Sequence, residues 1–270
     1  AIAVIAVIAL HLGYLPNGYL GVDVFFVISG YLITGIIYRE ILEERFSITT
    51  LYLRRIRRII PLATFIVFVA LAIGIATMLP DDLENLAQSV VATNCFSNNV
   101  LQAITTKNYW DVVNEYKPLM HTWSLGVEEQ YYLIYPILFL LFKKKRRAWL
   151  LPMLIVLTVS SLLLYFLSDK EFERFYLIPY RFFELSLGGI AAIWLAERRV
   201  RSRISPAFVL CLLGLLCLPV SLLPRELALL ISVALTLGIL IFDNTGSKII
   251  ELILENRLMV GVGKHSFSLY

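Results

Sequence analysis

The stretch HLGYLPNGYLGVDVFF, residues 11–26, decides how the chain is read. It places His11 and Asp23 in an otherwise aliphatic and aromatic run, interrupted by the turn-forming Pro16, Asn17 and Gly18. Apolar sequence continues on both sides, AIAVIAVIAL before it and VISGYLITGII after it. A helix needs about 20 mostly apolar residues to cross a hydrocarbon core roughly 30 Å thick. Residues 1–38 therefore predict a helical hairpin in a membrane, turning at Pro16-Asn17-Gly18.

The same pattern recurs along the 270 residues. Hydrophobic residues make up 59% of the chain and charged residues 16%, against about half and about a quarter in a soluble domain, and the mean hydropathy is +0.78. Candidate spans are 1–15, 19–38, 59–79, 129–142, 148–167, 176–196, 204–223 and 227–242, with a ninth beginning near 258. The expected fold class is all-α, a polytopic transmembrane helix bundle of about eight to nine spans. AIAVIAVIAL lacks the basic n-region and cleavage site of a signal peptide. Because the sequence starts and stops inside hydrophobic segments, it is expected to be a fragment trimmed at both ends. Cys95, Cys211 and Cys217 form neither a disulfide framework nor a metal-ligand spacing.

Basic residues between spans assign the cytoplasmic side. Arg39, Arg45, Arg54, Arg55, Arg57 and Arg58 fall in one set of loops, with the run Lys143–Arg147, with Arg198, Arg199, Arg201 and Arg203, and with Lys248 and Arg257. The opposite set holds only Lys107, Lys117, Lys170, Arg174 and Arg225. The first set is expected to be cytoplasmic, so the net charge of +4 reflects topology and implies no nucleic-acid partner. The outer segment 80–128 is long for a connection and is expected to be a functional loop.

Ionisable groups inside a membrane are costly and mark function by default. Residues 11 and 23 are equidistant from residue 17, so the hairpin places His11 and Asp23 at similar depth. If they meet, Asp23 orients the imidazole and His11 becomes a general base; alternatively the two satisfy each other structurally, or cap a helix end. In LYLRRIRRIIPL (51–62), Arg54 with Arg57 and Arg55 with Arg58 are i,i+3 pairs sharing a helix face, and Pro61 suits a helix start or kink. Their guanidinium forks suit bidentate phosphate binding, or they anchor the chain to anionic lipid. KKKRR at 143–147 reads as an anchor alone.

The segment PLMHTWSLGVEEQYYLIYP (118–136) gathers His121, Trp123, Ser124, Glu128, Glu129 and Gln130 ahead of a span. Tyr131, Tyr132 and Tyr135 read as an interfacial aromatic belt. No strained G-x-S-x-G elbow surrounds Ser124, so a hydrolytic triad is disfavoured and an N-cap role is expected of it. In YRFFELSLGG, Arg181 and Glu184 lie one turn apart and are expected to form an intramembrane ion pair, while Gly188 and Gly189 permit close helix packing.

Taken in order, GYLGVDVFFVISGYLIT, LRRIRRIIP, HTWSLGVEEQYYLIYP and YRFFELSLGG resemble characteristic segments of membrane-bound acyltransferase family 3, the bacterial cell-surface polysaccharide O-acyltransferases. The closing GKHSFSLY is similar to the family's approach to its last spans. The resemblance implies a transmembrane acyltransferase domain over residues 1–270 in the bacterial inner membrane. It would bind no resident cofactor or metal. An acyl group, most often acetyl, would pass from cytoplasmic acyl-CoA to a hydroxyl of a surface glycan such as lipopolysaccharide O-antigen, peptidoglycan or exopolysaccharide. By the same resemblance His11 matches the family's essential histidine, and Arg55 with Arg58, or else Arg54 with Arg57, matches its R-x-x-R motif. The family's arginine, separated from the histidine by ten residues, would fall just before Ala1. Some members carry an SGNH hydrolase-like periplasmic domain, and the outer segment with NYWD (108–111) is similar to theirs.

On this reading His11, oriented by Asp23, deprotonates the acceptor, or forms an acyl-histidine. His121, Trp123, Ser124, Glu128, Glu129, Arg181 and Glu184 are expected to shape an outer vestibule or hold helices. The competing classes are a proton-coupled secondary transporter and a non-catalytic sensory membrane module.

Overall fold

A computed structural model describes residues 1–105, 117–141, 149–197, 207–242 and 248–266. Its regular elements are all helical, among the described residues. Three helices are long and apolar enough to cross a membrane: Pro16–Leu42, Ile48–Thr77 and Leu150–Leu167. The expectation of eight to nine spans goes beyond this. The apolar run at the N-terminus folds into the shorter α1 (Ile2–His11) and the one near 207 into Ala207–Cys217, both apolar but too short to be counted as spans. The lysine-arginine run 143–147, the arginines between 198 and 203, Lys107 and NYWD lie outside the described residues.

The chain divides into two compact units, residues 1–39 with 184–270, and residues 40–183. In the first unit α1 ends in a glycine cap. Gly13 adopts φ +78, its N–H donates to Leu10 O at 2.9 Å, and Tyr14 N–H donates to Ala9 O at 2.8 Å. This is the Schellman arrangement, which satisfies the last carbonyls of a helix with a left-handed residue where only glycine is unstrained. The hairpin thus turns at Leu12–Leu15. Pro16–Tyr19 already forms a 3-10 turn leading into α2 (Leu20–Leu42), because proline pre-sets the φ of a first helical turn.

Close packing then fixes the register of α1 against α2. A side chain on Gly18 would strike the Ala6 carbonyl and Leu10, and one on Gly21 would strike the Ala3 carbonyl and Val7. Ala3, Val24 and Leu212 form one buried cluster, backed by Phe25, Ile28, Leu235 and Ile239. Asn17 is buried, and its Nδ2 donates to the carbonyls of Leu215 at 3.1 Å and Leu218 at 2.9 Å. It thereby tethers the hairpin to the C-terminal end of the helix Ala207–Cys217.

In the second unit, Ser47 caps α3 (Ile48–Thr77), its Oγ accepting from Thr50 N–H at 3.3 Å. The helix therefore starts well before the expected span at 59, and Pro61 lies inside it. The expected loop 80–128 is largely helical where described. α4 (Pro80–Asn94) opens with Pro80 followed by Asp81 and Asp82 in its first turn, all favourable at a helix N-terminus, and α5 (Asn98–Thr105) follows. Both are amphipathic, so burial of one face folds them despite a low mean hydropathy. Leu86 of α4 packs with Val67 and Leu119.

Candidate functional site

The first unit holds His11 and Asp23. His11 is the last residue of α1 and exposed; its Nδ1 lies 2.9 Å from the Val7 carbonyl. Asp23, only 2% exposed, sits in the first turn of α2 and has its partner elsewhere. No hydrogen bond or ion pair joins the two. The physical reason is the displaced turn. With Gly21 level with Ala3, Asp23 lies beside the start of α1, whereas His11 is eight residues further along. At 1.5 Å rise per residue that is a depth difference of about 12 Å. The expected match in depth took Asn17 as the centre of the turn, and the Gly13 cap moves the centre several residues earlier.

The arginines of α3 lie in the second unit and divide into distinct roles. Arg54 Nη2 donates to Glu40 Oε1 at 2.7 Å, and the Glu40 side chain is only 9% exposed. Arg55 turns the other way. Its Cζ lies 3.4 Å from the ring centroid of Tyr132, a cation–π stack, and its Nε is buried without a hydrogen-bond partner. Arg57 and Arg58 are exposed, and neither forms an ion pair among the described residues.

The ring beneath Arg55 belongs to α6 (Trp123–Leu141). Tyr131, Tyr132 and Tyr135 are buried at 0%, 5% and 0% exposure, so they are core and not the expected interfacial belt. The reason is packing: Tyr131 stacks on Tyr135 at 4.3 Å between centroids, and Tyr135 meets Phe139 edge-on at 5.1 Å. Glu129 is one turn ahead of Tyr132 and within electrostatic reach of Arg55, and its Oε1 is buried without a hydrogen-bond partner.

A polar network fixes how α6 presents this face. Asn99 Nδ2 donates to Gln130 Oε1 at 3.2 Å, Gln130 Nε2 donates to Asn99 Oδ1 at 2.9 Å and to Phe96 O at 2.9 Å, and Asn99 also reaches Tyr176 O at 3.2 Å. Gly126 lets α5 come close, since a side chain there would press on the Asn99 amide. Ser124 is not an N-cap: it lies within α6, preceded by the 3-10 turn Met120–Thr122, and its Oγ donates to His121 O at 3.4 Å. Trp123 is buried against Phe175 and Tyr176, at centroid distances of 4.8 and 5.4 Å. Glu128 and His121 are half-buried.

Of the remaining expected pair, Arg181 belongs to the second unit and Glu184 to the first. Arg181, in the second, is 4% exposed; its Nε donates to Phe175 O at 3.0 Å, and its guanidinium lies over the Phe175 ring at 5.2 Å. Glu184, in the first, is fully buried. Gly188 brings its helix, α7 (Ile178–Glu197), against the Val27 carbonyl of α2, as its position in the sequence suggested. Sequence reasoning missed Glu40 as the partner of Arg54 and Tyr132 as the platform of Arg55. The i,i+3 spacing of Glu129 and Tyr132 was visible, but nothing local announces which distant helix faces them.

A family model described as an acyltransferase domain matches residues 1–270. The chain belongs to acyltransferase family 3. It is an acyltransferase, and its apolar helices make it a membrane protein. Among relatives of this acyltransferase, an uncharacterised protein of Haemophilus influenzae is 36% identical over 64% of the chain and 74% of its own length. The peptidoglycan O-acetyltransferase OatA of Listeria monocytogenes is 38% identical over 53% of the chain, and a Staphylococcus aureus protein named as an O-acetyltransferase is 34% identical over 51%. Each of the latter two matches covers 23% of the relative's own length. No solved structure matches.

Proposed function

We propose that this acyltransferase moves an acyl group, acetyl first among candidates, from acyl-CoA on the cytoplasmic side of the bacterial inner membrane to a hydroxyl of a cell-surface glycan. The observation that carries the donor half is the division of labour among the α3 arginines. Arg54 is committed to Glu40, whereas Arg58 is exposed, unpaired, and on the same helix face as Arg55. A guanidinium with no protein partner beside an apolar helix suits a phosphate-bearing ligand whose other end enters the membrane. The acetyl and glycan halves are supported by the names of the Listeria and Staphylococcus relatives.

His11 serves in this reading as the base that takes the acceptor proton. The hydroxyl oxygen attacks the thioester carbonyl, the C–S bond breaks, and the CoA thiolate leaves and is protonated. Asp23 acts through the fold of α2 and not by direct contact with the imidazole. His121, Glu128, Arg181 and Glu184 support helices, and an SGNH-like domain is the expected partner on the outer side. The test is transfer of labelled acetyl from acetyl-CoA into the glycan of membranes holding the whole protein. Label in the glycan supports the reading; label left in CoA under conditions where the protein is folded opposes it.

A further inference from the structure

Among the buried polar atoms of the second unit without a hydrogen-bond partner, Nε of Arg55 and Oε1 of Glu129 sit on side chains of opposite charge. Buried polar groups are nearly always satisfied, so each such atom asks for an explanation. The two side chains share one neighbourhood. Glu129 and Tyr132 stand one turn apart on α6, Arg55 lies 3.4 Å over the Tyr132 ring, and its charge acts on Glu129. Yet Nε–H and Oε1 do not bond each other.

The chemistry of the two atoms limits what can complete them. Nε only donates, and an ionised carboxylate oxygen only accepts. A phosphate offers acceptors alone and finds no donor in an ionised Glu129; an ammonium offers donors alone and is repelled by Arg55. A neutral group with an N–H or O–H next to an acceptor oxygen, a secondary amide or a hydroxyl, serves both. Arg58 shares its helix face with Arg55 one turn along α3, so a ligand held at Arg58 lies within reach of Arg55. The reciprocal amide pair of Asn99 and Gln130 ties α6 to α5 at the residue next to Glu129.

We propose that Arg55 and Glu129 form a split clamp for an amide or hydroxyl of the pantetheine arm of the acyl donor, Arg55 donating to its oxygen and Glu129 accepting from its N–H or O–H. The proposal rests on the reading that the donor is acyl-CoA.

Binding of CoA and of pantetheine, which lacks the phosphates, separates the two claims when measured by calorimetry on the protein in lipid nanodiscs. Glu129→Leu removes the acceptor and is expected to weaken both probes by about tenfold or more, while Glu129→Gln keeps an acceptor oxygen at the same reach and restores most of the loss. Arg58→Ala is expected to weaken CoA and leave pantetheine within about twofold of wild type. Wild-type pantetheine affinity in Glu129→Leu, with CoA still weakened by Arg58→Ala, overturns the clamp and spares the donor reading. CoA affinity unchanged in Arg58→Ala and in Arg55→Ala overturns the donor reading itself. Should Glu129→Leu not fold, Glu129→Asp, which retracts the oxygen by one methylene, gives the same comparison.

Discussion

Gly30 of α2 lies against the backbone of Leu185, and Gly188 of α7 lies reciprocally against the Val27 carbonyl. The two helices approach so closely that a methyl group at either glycine meets backbone, which cannot step aside as a side chain can. Small residues on both faces are how membrane helices pack without a hydrophobic driving force. Gly30→Ala and Gly188→Ala should each destabilise the protein by about 1–3 kcal/mol or more. Gly35→Ala, on the same helix with open space around it, should be neutral or gain up to about 1 kcal/mol of helix propensity. Thermal unfolding of the three variants in detergent checks this ranking.

Asn17 is tied to Leu215 and Leu218 through a single amide nitrogen. Asn17→Ala leaves two carbonyls near a helix end without that donor and should cost about 1–3 kcal/mol. Asn17→Asp should be no better, because a carboxylate cannot donate to a carbonyl. Limited proteolysis of residues around Leu218 reads out the loosened tether.

The amide pair of Asn99 and Gln130 should behave as one device. Gln130→Leu leaves the buried Asn99 amide half-satisfied and should cost about 1–3 kcal/mol. The double change Asn99→Leu with Gln130→Leu should cost less than the sum of the single changes, since both partners are then removed. A double-mutant cycle on unfolding free energies measures that coupling.

The arginines of α3 should separate by consequence. Arg54→Ala strands the Glu40 carboxylate, which is 9% exposed, and should lower stability. Arg58→Ala should leave stability within about 0.5 kcal/mol, as for an exposed unpaired residue, and weaken acyl-CoA use. Unfolding temperature and the KM for acetyl-CoA, measured on the same preparations, distinguish the two effects.

Much of the architecture was legible because burial and membrane crossing depend on local composition. The runs at 19–38, 59–79 and 148–167 mark the three candidate spans, and Gly188 marked a close approach. The turn of the hairpin was misplaced because PNG is the stronger local signal, whereas a Schellman cap at Gly13 depends on α1 stopping at His11. The tyrosines of α6 were misread because an aromatic at a span end has the same sequence whether lipid or protein faces it. Helices α4 and α5 were hidden because amphipathic segments of low hydropathy look like loop until one face finds a partner. In the site, the residue types and their spacing along α3 were readable. The facing of Arg55 to Tyr132 and Glu129 was not, since it depends on how two distant helices rotate.

Glycan O-acetylation in cells expressing the whole protein, with wild-type sequence or with His11→Ala at equal membrane abundance, tests the role of His11 as the base. Acetyl ester is expected on the surface glycan with the wild type and is expected to be lost with His11→Ala. Acetylation retained at the wild-type level by His11→Ala would contradict that role.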